Sequence, residues 1–269
     1  MKDKRVLFVS SEVVPYLPET ELSSTAFNVA KNAHSKGVQT RIFMPRFGVI
    51  NERRHQLHEV IRLSGMNLVV NDMDMPLIIK VASIPKERMQ VYFIDNEEYF
   101  KRKAVFTDED DDLFEDNDER AIFFAKGVVE TVKKLNWAPD IIHVHGWMAS
   151  LLPLYLKEFY NEEPLFTESK IITSLYDNPF EGNLDEALIE KLEYDKICDK
   201  KRATVKIPSF INILKSAIEN SDGIIHGSET ISEELSSFLE GKEIPVLEHQ
   251  VENTKESYLN FYADLIAAK

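Results

Sequence analysis

The feature that most constrains the fold is a regular alternation of short apolar runs with segments of helical periodicity. Arg5–Ser10 is a continuous β-branched and aromatic run, which is typical of a strand buried on both faces. Small and apolar residues then recur at helical spacing, after a cap that we place at Ser23 or Ser24 and before a stop at Gly37. Val38–Met44 follows as a second strand. The chain therefore opens with a βαβ unit, whose crossover we expect to be right-handed.

The same alternation continues along the chain. Further strands are predicted at His58–Leu63, Asn67–Val70, Leu77–Ala82, Gln90–Ile94, Asp140–His145, Lys170–Leu175 and Gly223–His226. Helices are predicted at about Asp118–Leu135, Trp147–Glu158, Pro208–Asn220, Glu229–Leu239 and Thr254–Ala268, and the charged segment 182–206 is expected to be helical and partly mobile. The pattern predicts an α/β protein with a doubly wound, mostly parallel sheet and inserted β-hairpins between residues 57 and 95.

Composition excludes several classes of function. A net charge of −14 argues against nucleic-acid and anionic-membrane surfaces. No apolar run approaches the roughly 18 residues that span a membrane. The start of the chain is not a signal peptide and Cys198 is the only cysteine, so we expect a cytoplasmic protein. Nine glycines in 269 residues leave little material for phosphate-binding loops, and we expect no cofactor.

Several segments, taken together, resemble the glycogen and starch synthases, which are retaining glycosyltransferases with two Rossmann-like domains (the GT-B arrangement). The segments are Val9–Pro15, Met44–Gly48, Val91–Asp95, Asp116–Arg120, Pro139–Trp147 and Ile211–Lys215. They follow the order and spacing of the family over about residues 4–240. The resemblance implies a Rossmann-like N-terminal half of such an enzyme.

The departures from the family concentrate where its chemistry lies. The family's Lys-Thr-Gly-Gly-Leu loop, which meets the sugar nucleotide, reads Pro18–Leu22 here and carries two acids instead of a lysine. Its His-Asp-Trp-His segment reads His145–Met148, and its Thr-x-His-Asn segment reads Thr173–Tyr176. The resemblance therefore implies a fold kept without its reaction, and we assign no catalytic residue.

The chain also looks too short for the family's second, nucleotide-binding domain. Only about thirty residues follow Leu239, no more than one βαβ unit requires. We expect residues 1–240 to form the Rossmann-like domain. We expect residues 241–269 to form a C-terminal bracing helix on the same domain, because Tyr258–Ile266 resembles the family's C-terminal helix.

A remnant cleft for a sugar or glucan is predicted where parallel strands end, since open parallel sheets bind ligands at that edge. Its candidate residues are Tyr16, Glu19, His145, Trp147, Tyr176 and Asn178. The alternative for each is ordinary packing. No metal site is expected, and we interpret His143 and His145 as facing opposite sides of their strand.

Two functions stay open on the sequence alone. The first is a catalytically degenerate protein that binds a partner or an α-glucan in glycogen metabolism. Its partner would dock on the face that the second domain would have covered, which predicts a homodimer or a heteromeric complex. The second is an active glucosyltransferase that uses ADP- or UDP-glucose and an α-1,4-glucan acceptor, with a partner chain supplying the diphosphate site.

Overall fold

The strands assemble into one central sheet in the structure, a computed structural model that describes residues 1–250 and 255–268. The strands are β1 (Arg5–Ser10), β2 (Gln39–Pro45), β3 (His58–Glu59), β4 (Met66–Val70), β5 (Met73–Ser83), β6 (Gln90–Asp95), β7 (Ile141–His145), β8 (Lys170–Leu175), β9 (Gly223–His226) and β10 (Val246–Leu247). The helices are α1 (Glu21–Ser35), α2 (Glu52–His55), α3 (Glu97–Phe100), α4 (Asn117–Lys134), α5 (Leu152–Lys157), α6 (Leu188–Tyr194), α7 (Asp199–Arg202), α8 (Phe210–Glu219), α9 (Glu233–Glu240) and α10 (Lys255–Ala267).

The strand order is β10-β9-β8-β7-β1-β2-β6-β5-β3, with β4 attached to β5. Every neighbouring pair from β10 to β6 is parallel. Strand β5 runs antiparallel to β6, β3 and β4, which are the inserted hairpins. The chain winds outward in both directions from β1, so the predicted doubly wound, mostly parallel Rossmann-like sheet is confirmed. The reversal of order lies between β1 and β7.

Helices cover both faces of this sheet. On one face, Tyr262 of α10 forms a hydrogen bond with His143 of β7, and α10 also contacts α1. Val91 of β6 points to that same face. It is paired with Ile42 of β2, which is paired with Phe8 of β1, and Phe8 is paired with His143. Ile94 is an odd number of residues after Val91 and points to the other face, where α4 packs on it.

The first helix begins earlier than the sequence predicts. Thr20 is the N-cap of α1: its hydroxyl accepts from the backbone N–H of Ser23 at 3.0 Å, and Ser23 Oγ accepts from Thr20 N–H at 2.8 Å. The predicted cap at Ser23 or Ser24 is therefore wrong, because this reciprocal capping box satisfies the orphan N–H groups one turn earlier. As a result, Glu21 already belongs to the first helical turn.

Other predicted boundaries also change. The predicted strand His58–Leu63 keeps only β3, since a turn closed by the bond from Leu63 N–H to Val60 O follows it. The predicted helix Trp147–Glu158 is a 3-10 turn at Trp147–Ala149 followed by α5. Thr254, placed at the start of the last predicted helix, lies outside the described residues. Within the described residues, no helix is both long and apolar enough to cross a bilayer.

Candidate functional site

The carboxyl ends of β1 and β7 meet at the switch point of the sheet. Ser10 and His145 are paired at the end of these strands, and Ser11 N–H donates to His145 O at 2.9 Å. Doubly wound sheets bind ligands in the crevice at such a reversal, because the loops from the two neighbouring strands diverge there. We call the region between the turn at Gly146 and the loop from Ser11 to Thr20, which leads into the N-terminus of α1, the crevice.

Three carboxylates surround the N-terminus of α1. Glu12 Oε2 accepts from Thr20 Oγ1 at 3.0 Å, and Glu19 Oε1 accepts from Ser24 Oγ at 3.2 Å. Glu21 accepts a hydrogen bond from the hydroxyl of Ser228, in the loop after β9. Burial raises the pKa of Glu12, while the bond from Thr20 opposes that shift. Acidic side chains of the chain itself therefore lie around the helix end that could otherwise attract an anion.

Gly146 is required by the close approach of Ser11 and Leu22. Its φ is +82°, a left-handed conformation that favours glycine. A Cβ at this position would lie 2.5 Å from Ser11 Oγ and 2.8 Å from Leu22 Cδ1. Since these distances are far below van der Waals contact, a side chain at residue 146 would displace the walls of the crevice. The position has no room for the aspartate that the family resemblance implies there.

His143 and His145 lie on the same face of β7, so the interpretation that placed them on opposite faces is wrong. Residues two apart in a strand share a face, and the two ring centroids are 3.9 Å apart. His143 forms hydrogen bonds with Tyr262 Oη at 2.6 Å and with Ser174 Oγ at 2.7 Å. Both histidines are fully buried, and burial lowers their pKa values, that of His145 to about 3. They are therefore neutral at physiological pH.

Tyr176 fills the space between the ends of β7 and β9. Its ring lies against Gly227, where a Cβ would come within 2.5 Å of Tyr176 Cε1. Its hydroxyl forms a 2.8 Å hydrogen bond with His145 Nδ1, which leaves His145 Nε2 buried and without a partner in the described part of the chain. Only 3% of Tyr176 is exposed, and burial raises the pKa of its hydroxyl well above the usual value. Tyr176 is thus a packed side chain at the centre of the strand ends.

The side chain of Trp147 is buried by packing and is not available at the surface. Only 3% of it is exposed, and its ring lies 4.7 Å from that of Phe106 and 5.0 Å from that of Phe180, between centroids. Phe180 in turn meets Phe210 of α8 at 5.6 Å. This aromatic cluster packs the loops after β7 and β8 against α8. Stacking of a sugar on Trp147 would require these loops to separate.

The structure brings together only some of the six predicted cleft residues. His145 and Tyr176 are hydrogen-bonded, and Trp147 lies two residues after His145 but packs toward Phe180. Glu19 is exposed, and Asn178 is half-buried in the loop after β8. Tyr16 lies elsewhere, with its ring 4.9 Å from that of Phe93 on β6 and 5.0 Å from that of His55 on α2.

Sequence reasoning missed Glu12 and Ser228. Glu12 lies within the segment Val9–Pro15, but the resemblance gives it no role, and Ser228 reaches the crevice only because β9 is brought within two strands of β7. The only signal in the sequence was the density of acids from Glu12 to Glu21. In the described part of the chain, no group of three or more His, Cys, Asp or Glu side chains is arranged to hold a metal ion.

The fold has a close counterpart among solved structures. The catalytic domain of starch synthase IV from Arabidopsis thaliana, bound to ADP and acarbose, superposes with a TM-score of 0.72 at 16% identity, over 93% of this chain and 52% of that chain. At this identity the match concerns the fold alone, which is that of one half of a GT-B glycosyltransferase.

The family model described as the starch synthase catalytic domain matches residues 5–247, and the chain belongs to that family. The glycogen synthase of Chlorobium luteolum is 34% identical over 241 residues, which cover 87% of this chain and 48% of the relative. The glycogen synthase of Chlorobium phaeobacteroides is 33% identical over 258 residues, 94% of this chain and 51% of the relative. The chain thus spans about half the length of the curated relatives that it matches.

Proposed function

We propose that this chain is a catalytically degenerate member of the family that acts as a cytoplasmic partner- or α-glucan-binding protein in glycogen metabolism. The observation that carries the proposal is the ring of Glu12, Glu19 and Glu21 around the N-terminus of α1. At about 5 Å and an effective dielectric constant of about 20, each carboxylate repels one phosphate charge by about 3 kcal/mol. That exceeds the roughly 0.3–1 kcal/mol that a helix end supplies. A nucleotide diphosphate is therefore disfavoured there.

Two further features support the loss of the reaction. A side chain at position 146, where this chain has glycine, would clash with Ser11 and Leu22. Tyr176 stands where the family resemblance implies the asparagine of a His-Asn pair, and it fills the gap beside Gly227. Both changes replace polar function by packing, which is the expected result when the frame is kept for stability and the crevice is no longer used for catalysis.

An exposed aromatic groove supports the glucan-binding part of the proposal. Phe159 is 42% exposed and Tyr194 is 52% exposed, and both line a cavity of about 710 Å³ beside β4. Exposed aromatic rings offer flat apolar faces with polar rims, which suit the apolar faces of sugar rings. This groove, rather than the buried Trp147, is our candidate for glucan contact.

Affinity electrophoresis in gels containing glycogen tests the glucan-binding part. We expect retardation of the wild-type chain and its loss in the double variant Phe159→Ala/Tyr194→Ala. The matched control is Ile207→Ala, which removes an exposed apolar side chain (58% exposed) elsewhere on the surface and should leave retardation unchanged. Unretarded migration of the wild type would eliminate glucan binding.

Size-exclusion chromatography tests the partner-binding part. Elution of the chain at monomer size, even at high concentration, would count against the predicted homodimer.

The second candidate is an active glucosyltransferase that uses ADP- or UDP-glucose and an α-1,4-glucan acceptor. Its support is the set of relatives that are glycogen synthases and the retained frame of the fold. In this proposal a partner chain supplies the diphosphate site. Transfer of labelled glucose by the chain with a partner, but not by the chain alone, would favour this candidate.

A further inference from the structure

A second groove lies away from the switch point, between the end of α1, helix α2 and the turn that joins β5 to β6. It has a volume of about 610 Å³. Fourteen of the described residues line it: four of them are Arg or Lys, two are His, and none is Asp or Glu. In the whole chain, by contrast, acids outnumber Lys and Arg by 46 to 32. A groove with one sign of charge focuses the electrostatic field and concentrates counter-ions of the opposite sign.

Among the described residues, the positive charges of this groove form no ion pairs. Arg54, Lys86 and Arg88 are exposed, and no carboxylate in the described part of the chain lies within 4 Å of their nitrogens. The acids nearest to them in sequence are held by other cations. Glu87 pairs with Lys31 of α1 at 2.6 Å, and Glu52 pairs with Lys80 at 2.7 Å. The groove therefore keeps its cationic side chains available to a ligand.

The inner wall of the groove contains an unpaired buried hydroxyl. Tyr16 is 5% exposed, and its Oη has no hydrogen-bond partner within the described residues. Burial raises the pKa of this hydroxyl, so it stays a donor over the whole physiological range. A buried hydroxyl without a partner is uncommon in folded proteins, since its lost hydration is not replaced. Beside it, burial and the charge of Arg54 lower the pKa of His55.

We propose that this groove binds a small phosphate ester that carries at least two negative charges, with Arg54, Lys86 and Arg88 as the charged contacts and Tyr16 Oη as a neutral donor. Guanidinium groups suit this ligand because they donate paired hydrogen bonds to phosphate oxygens. Its charged contacts are separate from the acidic N-terminus of α1, since Arg54 lies on α2 and Lys86 and Arg88 lie in the β5–β6 turn, while Tyr16 comes from the loop between β1 and α1. It goes beyond the function proposed above and does not depend on it.

Isothermal titration of the chain with inorganic pyrophosphate tests this site, with ADP and glucose 1-phosphate as further probes for the ester. We expect saturable pyrophosphate binding that weakens about tenfold or more in the double variant Arg54→Gln/Arg88→Gln. Tyr16→Phe should weaken it several-fold without changing the charge. The matched control Lys200→Gln/Lys206→Gln removes two exposed cations outside the groove and should bind pyrophosphate as the wild type does. Thermal unfolding of each variant verifies that it is folded.

Each result of the titration either supports or overturns the proposed phosphate site. Loss of pyrophosphate binding in the groove variants alone supports the site. Whichever of ADP and glucose 1-phosphate binds more tightly then identifies the kind of ester. Absence of pyrophosphate binding overturns the proposal. Equal weakening in the groove and control variants also overturns it, because it would reflect only the overall charge of the chain. Glucan retardation and the phosphate site respond to different substitutions, so either can fail while the other stands.

Discussion

Gly146 provides the sharpest test of how the crevice is built. Gly146→Ala adds one methyl group to a residue at φ +82°, 2.5 Å from Ser11 Oγ and 2.8 Å from Leu22 Cδ1. The left-handed conformation costs a residue with a Cβ about 1–2 kcal/mol. Overpacking against Ser11 and Leu22 adds about 1–3 kcal/mol. We therefore expect a loss of about 2–5 kcal/mol in the free energy of unfolding.

Gly182→Ala is the matched control. Gly182 has a similar φ of +77°, but no atom lies within 4 Å of the position that its Cβ would take. Only the conformational cost of about 1–2 kcal/mol applies there. Any restriction of the unfolded chain by the alanine is the same in both variants and cancels in the comparison.

Urea unfolding followed by tryptophan fluorescence measures both variants, since Trp147 adjoins the altered turn. The difference between them should be about 1–3 kcal/mol, with Gly146→Ala the less stable. Gly146→Asp, which introduces the acid that the family resemblance implies, should be no more stable than Gly146→Ala and should restore no activity. Equal losses for the two alanine variants would refute the close packing of the crevice that we describe.

Three other predictions concern buried polar groups. Because the pKa of His145 is about 3 in the folded state and about 6.5 in the unfolded state, its contribution to stability is complete above pH 6.5 and falls as the pH drops toward 3. Between pH 7 and 5 this amounts to about 2 kcal/mol, which urea unfolding of His145→Gln should lack. Asp195→Ala should cost about 3–5 kcal/mol, since it leaves the charge of Lys126 buried without its counter-ion. Lys126→Met/Asp195→Leu should recover only part of that loss, because the buried Tyr155 hydroxyl, which donates to Asp195 at 2.6 Å, still lacks its partner. Tyr262→Phe leaves His143 Nδ1 without its partner and should cost about 1–3 kcal/mol in thermal unfolding.

The sheet could be predicted from the sequence because its signals are local. The apolar run Arg5–Ser10 and the spacing of strands and helices behind it are each decided within a few residues. The capping box at Thr20 was missed because Ser23 and Ser24 are equally good caps by composition. Only the backbone geometry shows that Ser23 serves as the third residue of the box.

The site depends on contacts that no local pattern encodes. Tyr16 is placed in the loop after β1 by its position in the sequence, but packing on Phe93 turns it toward α2 and away from Tyr176. The bond between Glu21 and Ser228 joins residues 207 positions apart. The pairing of His143 with Tyr262 likewise depends on where α10 returns to the sheet. Such contacts follow from topology, which the motifs alone do not fix.

We propose that this chain keeps the fold of the family without its reaction. The most direct measurement is transfer of labelled glucose from ADP-glucose and from UDP-glucose to a maltooligosaccharide by the purified chain, with an active glycogen synthase as the positive control. The acidic N-terminus of α1 and the packed Tyr176 predict transfer no greater than that of a protein-free blank. Turnover by the purified chain alone, proportional to its concentration, would show that the reaction is retained.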